Sequence, residues 1–284
     1  MTQSSVAVLS IRDALASVAA ELAAAGIDRP QVQARVLVGH ALARPPFDLP
    51  PDGQIDPPAA ARLALLAARR AAREPLQHLL GTAPFRYREL AVGPGVFIPR
   101  PETELLVELV TPFLLPGVTV VDLCSGSGAL ALAIADEHPG CQVLAVENAP
   151  AALGWLRRNA AGTDVVVVDG DVRSLRAGIG SRVVADVVVA NPPYVALGTA
   201  VSEEVRAETP EAVFAGPDGL ATIPAVIAAA AELLRPGGRL AVEHGESQAG
   251  AVRALVAEHG GFADVTTERD LTGRDRFVAA RRNG

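Results

Sequence analysis

The sequence predicts an α/β protein: a doubly wound, mostly parallel sheet preceded by a small helical bundle and a β-hairpin. Three observations predict it. From Glu102 onward, apolar runs such as Val118–Leu123 and Val183–Ala190 alternate with amphipathic stretches. That is the β-α-β order of a sheet whose strands are buried on both faces. A glycine-rich turn, Asp122 to Gly128, follows the first of those runs. Residues up to about Arg73 carry helical patterning instead.

Ser10-Ile11-Arg12-Asp13 resembles a capping box, and the Ala- and Leu-rich helix that follows stops at Gly26. Asp28 is placed to cap a second helix, with Gln31 three residues on and Val32, Val36, Leu37 and Ala41 on one face. The proline-rich stretch 44–58 ends it, and a third helix is expected from Ala59 to Arg73, before Pro75. These helices form a domain over residues 1–73. Residues 74–101 hold Gly81, Pro84, Gly93, Pro94, Gly95 and Pro99 around short extended runs at Phe85–Val92 and Val96–Ile98, which reads as a linking hairpin. The sheet domain covers 102–284. Its expected elements are a helix over 102–114, strands at Val118–Leu123, Gln142–Glu147, Val165–Val168, Val183–Ala190 and Arg239–Glu243, helices through Trp155 and over 222–235 and 247–259, and two final strands.

The chain has 284 residues, half of them hydrophobic, and a formal net charge of -7. That length accommodates one large domain and a smaller companion. The acidic balance disfavours autonomous nucleic-acid binding, which draws on a basic surface. Every Lys-or-Arg position is Arg, consistent with a GC-rich genome. Cys124 and Cys141 belong to no metal-spaced cluster, so neither zinc nor a disulfide framework is expected. Met1–Ser10 lacks a basic segment followed by an apolar one, and no run is long enough to span a bilayer. A cytoplasmic monomer with reduced thiols is expected, without membrane or direct nucleic-acid contact.

Four places carry chemistry. In Asp122-Leu123-Cys124-Ser125-Gly126-Ser127-Gly128, where a strand turns into a helix, Gly126 and Gly128 permit a tight turn and close approach of a ligand to the backbone. The spacing is neither G-x-G-x-x-G nor a P-loop. Glu147 ends the next strand, where an acid can accept from both hydroxyls of a ribose; alone it fits NAD as well as S-adenosylmethionine (SAM). After the third strand, Asp171 can accept from an adenine amino group and Val172 can pack on the ring, though an ordinary turn fits equally well. The fourth place, Asn191-Pro192-Pro193-Tyr194, follows a fully apolar strand. Two prolines cannot continue a central strand, so they fix the chain just past its carboxyl end, the edge where such sheets bind ligands. The Asn191 side-chain oxygen and the Pro192 carbonyl can each accept one N–H of a planar NH₂ group, and Tyr194 offers a face for stacking.

Over roughly Arg73 to Arg281 these residues resemble the HemK/PrmC family, glutamine N5-methyltransferases of peptide-chain release factors. Glu74 to His78 with Gly81 and Phe85 is similar to its linker. Phe97-Ile98-Pro99-Arg100-Pro101-Glu102-Thr103-Glu104 is similar to its most specific signature. Gly216 to Leu220, Gly237 to Leu240, Glu243-His244-Gly245 and Asp270 to Arg276 resemble further segments. Glu147 stands where that family usually has Asp, and Cys124 where Gly is common.

The resemblance implies a seven-stranded Rossmann-like SAM-dependent methyltransferase fold, SAM as methyl donor, and a release factor as protein partner. The methylated residue would be the glutamine of its Gly-Gly-Gln motif. Asn191, Pro192 and Tyr194 would be catalytic, with Pro193 beside them against the substrate. Cys124 to Gly128, Glu147, Asp171, Val172 and Asn191 would hold the cofactor. His244, near the end of a strand, reads by its position as structural. Alternatives are an adenine or guanine methyltransferase acting on nucleic acid, a ribosomal-protein methylase, a non-catalytic SAM-binding regulator and an NAD-dependent dehydrogenase. Acidic charge and the lack of a target-recognition insert speak against the first. The intact Asn191–Tyr194 motif speaks against the regulator and the glycine spacing against the dehydrogenase, while the ribosomal-protein methylase stays open.

Overall fold

The computed structural model describes residues 9–175 and 183–284, so Met1–Val8 of the N-terminal stretch read above lies outside it. The chain forms two compact units. The first holds the described residues up to Gly81 together with Ser202–Ala207. The second holds Thr82–Val201 and Glu208–Gly284. Residues 74–101, grouped as one linker by their composition, fall on both sides of this division.

In the first unit, helices α1 (Ile11–Ala24), α2 (Pro30–Ala41) and α3 (Pro57–Ala71) pack around Ile11, Leu22, Leu37, Val38, Ile55 and Leu63. Strands β1 (Leu9–Ser10) and β2 (Gln54–Ile55) pair antiparallel, and a short α4 (Leu76–Leu80) closes the core. The Ser10 cap is present: its hydroxyl accepts from Asp13 N–H at 3.1 Å. The expected Asp28 cap is not. Arg29 sits before Pro30 with φ 50° and no side-chain cap, because the proline at the helix start already removes one donor. The inward face of α2 is also rotated from the expected one, to Ala34, Leu37, Val38 and Ala41, leaving Val32 59% exposed. Asp56 caps α3 through Ala59 N–H at 2.7 Å, two residues earlier than the run of alanines suggested. Buried Arg70 donates to Gln33 Oε1, the Glu74 carbonyl and Glu204 Oε1, which ties Ser202–Ala207 into this unit.

The second unit opens with a hairpin of β3 (Thr82–Phe85) and β4 (Arg88–Ala91). The sequence placed its strands later, because its turn, Arg86-Tyr87, has no glycine or asparagine; Arg86 itself adopts the left-handed φ of 53°. Val96–Ile98 is buried coil, with Val96 and Ile98 packed with Ala83, Val92 and Ala152. The helix expected over 102–114 is a 3₁₀ turn at Pro101–Thr103, α5 (Glu104–Val110) and a second 3₁₀ turn at Thr111–Phe113. Pro112 has no N–H to extend the α pattern.

The remaining strands are β5 (Thr119–Leu123), β6 (Gln142–Glu147), β7 (Val166–Asp169), β8 (Ala185–Ala190), β9 (Leu234–Glu243), β10 (Phe262–Arg269) and β11 (Asp275–Arg282). They form the expected seven-stranded sheet in the order β10-β11-β9-β8-β5-β6-β7, parallel from β9 to β7 with β11 antiparallel beside β9. Successive residues of a strand serve opposite faces. Val120, Val143, Val187 and Val189 meet α5, α6 (Ala129–Glu137) and α7 (Pro150–Ala160). Val121, Leu123, Val146, Val188 and Ala190 belong to the other layer. The short α8 (Glu203–Arg206) and α9 (Pro210–Val213), which the sequence did not suggest, precede that layer's helices α10 (Ile223–Leu233) and α11 (Ala249–Glu258). The chain runs β5-β6-β7 outward on one side, then returns to place β8 on the other side of β5. That reversal falls at the carboxyl ends of β5 and β8, the place where open α/β sheets bind ligands.

Candidate active site

Leu123 and Ala190 are register partners on β5 and β8, so the next residues, Cys124 and Asn191, leave the sheet at that same edge. Glu147, ending β6, and Asp171, just beyond β7, belong to it as well. The sheet therefore brings all four sequence-predicted places to one end.

The turn after β5 is held from several sides. Ser125 N–H donates to the Val146 carbonyl at 2.9 Å, and Ser125 Oγ donates to the Asp122 carbonyl at 2.9 Å. Asn159 reaches the Ser127 carbonyl at 2.9 Å. A Cβ added at Gly126 would meet nothing within 4 Å, so the turn leaves open space over its backbone. Cys124 adopts φ 61°, a left-handed conformation that costs a residue with a Cβ about 1–2 kcal/mol. The Cys-for-Gly departure thus sits where glycine is conformationally easier. Cys124→Gly is expected to be about 1 kcal/mol more stable than Cys124→Ala, since both remove the sulfur and only one keeps the strain. Urea unfolding followed by Trp155 fluorescence measures the difference.

Glu147 is 8% exposed, and its carboxylate braces the site itself. Oε2 accepts from Gly126 N–H at 2.8 Å, while Oε1 accepts from Asn148 N–H at 2.8 Å and Ala149 N–H at 2.9 Å. A carboxylate offers about four acceptor sites. Three are in use, so one remains, on Oε2, where the sequence suggested two free for a ribose. Asp171 Oδ1 accepts from Arg173 N–H at 2.8 Å, an Asx turn, and half-buried Val172 packs against the core layer beside Cys124 and Val168. Asp122 opens the glycine-rich turn read from the sequence, which gave its side chain no role of its own. Its Oδ2 accepts from Ala131 N–H at 3.2 Å, and its fully buried Oδ1 has no partner among the described residues. Burial pushes its carboxyl up to about 7.

At the end of β8, Asn191 Nδ2 donates to Thr103 Oγ1 at 3.0 Å. Thr103 Oγ1 donates to Glu243 Oε2 at 2.7 Å, and Tyr194 OH donates to Glu243 Oε1 at 3.0 Å. Thr103 and Glu243 are 3% and 1% exposed. Among the described residues no donor bonds Asn191 Oδ1. Tyr194 is also gripped through its carbonyl, which accepts from Gln248 Nε2 at 2.9 Å and lies so near Gly219 that an added Cβ there would be 2.2 Å away. Burial and the Glu243 carboxylate push the Tyr194 phenol upward, so it stays a donor. Pro192 is buried and Pro193 half-buried between these two anchored residues. Glu208, buried beyond the motif, accepts from Ile98 N–H at 3.0 Å and pairs with Arg100. It fastens the Phe97–Glu104 stretch that carries Thr103. His244 is wholly buried, with Nδ1 2.8 Å from the Gly245 carbonyl.

Sequence reasoning missed Thr103, Glu208 and Glu243 as site residues and assigned no role to the Asp122 carboxylate. An acid ending an apolar strand, as at Glu243, is a signal that it read only at Glu147.

Residues 13–81 match the family model described as PrmC N-terminal domain, and residues 93–213 the one described as Methyltransferase small domain. A curated protein of Mycolicibacterium smegmatis, "Release factor glutamine methyltransferase", is 46% identical over 276 residues, spanning 96% of this chain and 98% of its own. Its namesake in Streptomyces coelicolor is 44% identical over 270 residues, 92% and 94% of the two chains. Among solved structures, the T. thermophilus 16S rRNA N2 G1207 methyltransferase, in complex with AdoMet and guanosine, is alike in fold. It has a TM-score of 0.51 and 24% identity, and covers 71% of this chain and 50% of its own.

Proposed function

The chain belongs to the release factor glutamine methyltransferase family, and from that premise we propose that it methylates the side-chain amide nitrogen of the glutamine in a release factor's Gly-Gly-Gln motif, with SAM as donor. The observation that carries the reading is the anchored Asn191 amide. Its NH₂ end is spent on Thr103, so its oxygen is left as an acceptor at the ligand-binding edge of the sheet. Asn191 Oδ1 and the Pro192 carbonyl each take one N–H of the substrate amide. That orients the nitrogen and raises electron density on a group whose lone pair is otherwise delocalised. The Tyr194 ring, immobilised through its hydroxyl and its carbonyl, forms the stacking face, with Pro193 beside it.

The residues present fit the donor. The open space over Gly126 takes close backbone approach, the remaining acceptor of Glu147 suits a ribose hydroxyl, and the orphaned Asp122 Oδ1 suits a cationic amino group. Asp171 and Val172 flank the adenine, and Cys124, Ser125, Ser127 and Gly128 shape the turn. Bound SAM would supply a sulfonium methyl, its S–C bond breaking as the N–C bond forms, with the nitrogen's proton passing to solvent water and S-adenosylhomocysteine as the leaving product. Mass spectrometry of release factors from a strain lacking this protein tests the reading, because the glutamine should then carry no methyl. A methyl still present there would refute it.

The N-terminal residues 1–73 serve to dock the protein substrate. Two glycines and one glutamine offer little surface, so selectivity has to come from contacts away from the reacting amide. Deleting them is expected to raise KM for an intact release factor far more than for a short Gly-Gly-Gln peptide; an equal rise on both removes the docking role. The setting is the cytoplasm, and the enzyme acts as a monomer without gripping nucleic acid. Among the described residues no helix is long and apolar enough to cross a membrane.

A further inference from the structure

Resting on the reading that Asn191 orients the substrate amide, we infer that Glu243 and Thr103 are positioning residues that decide which end of the Asn191 amide faces the substrate. A carboxylate can only accept. Both oxygens of Glu243 accept from hydroxyls that belong to or touch the catalytic motif, Tyr194 OH at 3.0 Å and Thr103 Oγ1 at 2.7 Å. Thr103 therefore has its proton committed to Glu243 and turns a lone pair toward Asn191. Only the NH₂ end of the Asn191 amide can satisfy that lone pair, which leaves the oxygen for the substrate. Reverse the Thr103 hydroxyl and the logic reverses: Asn191 would have to offer its oxygen inward and present an NH₂, which repels the substrate's own N–H groups.

A role in packing alone does not call for this arrangement. Desolvating a carboxylate costs several kcal/mol, and a neutral side chain of the same shape would fill the space. What the carboxylate adds is a one-way direction of hydrogen bonding, carried over 140 residues of sequence from β9 to Thr103 and back over 88 to Asn191.

The relay also titrates. Facing Glu243 are Tyr194 beyond β8, Arg276 on β11, and Glu102 beside Thr103; Arg100 lies near Tyr194, and His244 is the next residue. Arg276 favours the charged form but shares its own charge with Asp270 at 3.5 Å, while Glu102 opposes it. Burial, the largest influence, pushes the Glu243 carboxyl up to about 7. Once protonated, Glu243 has to donate to one of its two hydroxyl partners, and donation to Thr103 produces the reversed relay.

The experiment measures kcat at saturating SAM and release factor across the neutral pH range, with SAM affinity by calorimetry and folding by thermal unfolding. Wild type should lose kcat as pH falls through about 7. Glu243→Gln should lower kcat on the order of tenfold to a hundredfold, as for a misplaced reacting group, and abolish the acid limb. Thr103→Val, nearly isosteric, should give the same loss, and Thr103→Ser should restore turnover. Combining Glu243→Gln with Thr103→Val should cost no more than either alone. SAM affinity should stay within about twofold, against roughly tenfold per 1.4 kcal/mol for a lost contact. If Glu243→Gln does not fold, Thr103→Val and Thr103→Ser carry the test. Wild-type kcat in folded Thr103→Val, with Asn191→Ala inactive, overturns the relay and leaves the role of Asn191 standing. Wild-type kcat in Asn191→Ala as well would overturn both.

Discussion

Asn191→Ala is expected to lower kcat on the order of 100- to 1,000-fold while weakening SAM affinity far less. The magnitude is that of removing one preorganised polar group aimed at charge developing in a transition state. An amide nitrogen becomes more positive as it attacks, so its N–H groups donate more strongly, and the acceptor that meets them contributes more in the transition state than in the ground state. The structure sharpens the expectation. Asn191 Oδ1 is held in place by a bond at the other end of the same amide, so it is preorganised rather than recruited. Truncation also strands the Thr103 lone pair in a buried setting, which adds a modest loss of stability. Steady-state kinetics beside calorimetric titration separates turnover from cofactor binding: a large fall in kcat with a much smaller change in SAM affinity is the expected pattern. Near-normal turnover would mean that the amide is oriented by something else.

Glu147→Ala is expected to weaken SAM binding by roughly 1.5–3 kcal/mol, the range for a hydrogen bond to a charged group, or about ten- to a hundredfold in Kd. Two losses combine. The remaining acceptor on Oε2 disappears from the ribose position. Gly126, Asn148 and Ala149 also lose the acceptor for their N–H groups, so the turn over which the cofactor lies is no longer braced. Glu147→Gln separates these effects, because a single amide oxygen can keep either Gly126 or the Asn148–Ala149 pair but not both. Calorimetry should rank the affinities wild type, Gln, Ala. Equal affinities in all three would take Glu147 out of the cofactor site.

What was legible in the sequence has a common physical origin. Strands β5, β6 and β8 are short apolar runs that end abruptly, at a glycine turn, an acid and a pair of prolines. Local chemistry therefore marked both the strands and the edge on which their ends would gather. Which residues support that edge was not local. Thr103 and Glu243 meet Asn191 and Tyr194 only because the sheet sets β9 beside β8, and nothing in the sequence near Asn191 points to them. The brace role of Glu147 was hidden similarly, since it depends on the N–H of Gly126, 21 residues earlier. The misses in the scaffold trace to backbone choices that residue type discourages. Arg86 turns the hairpin at φ 53° and Arg29 precedes α2 at φ 50°, both positions where glycine or asparagine would have announced the turn.

The central claim, methyl transfer to the amide nitrogen of the Gly-Gly-Gln glutamine, is tested most directly with purified protein. An unmethylated release factor is incubated with SAM carrying an isotopically heavy methyl, digested, and sequenced by fragmentation mass spectrometry. The account predicts one heavy methyl per chain, on the side-chain nitrogen of that glutamine, absent when Asn191→Ala replaces the wild type. A release factor that stays unlabelled, or label on any other residue while that glutamine remains bare, would contradict it.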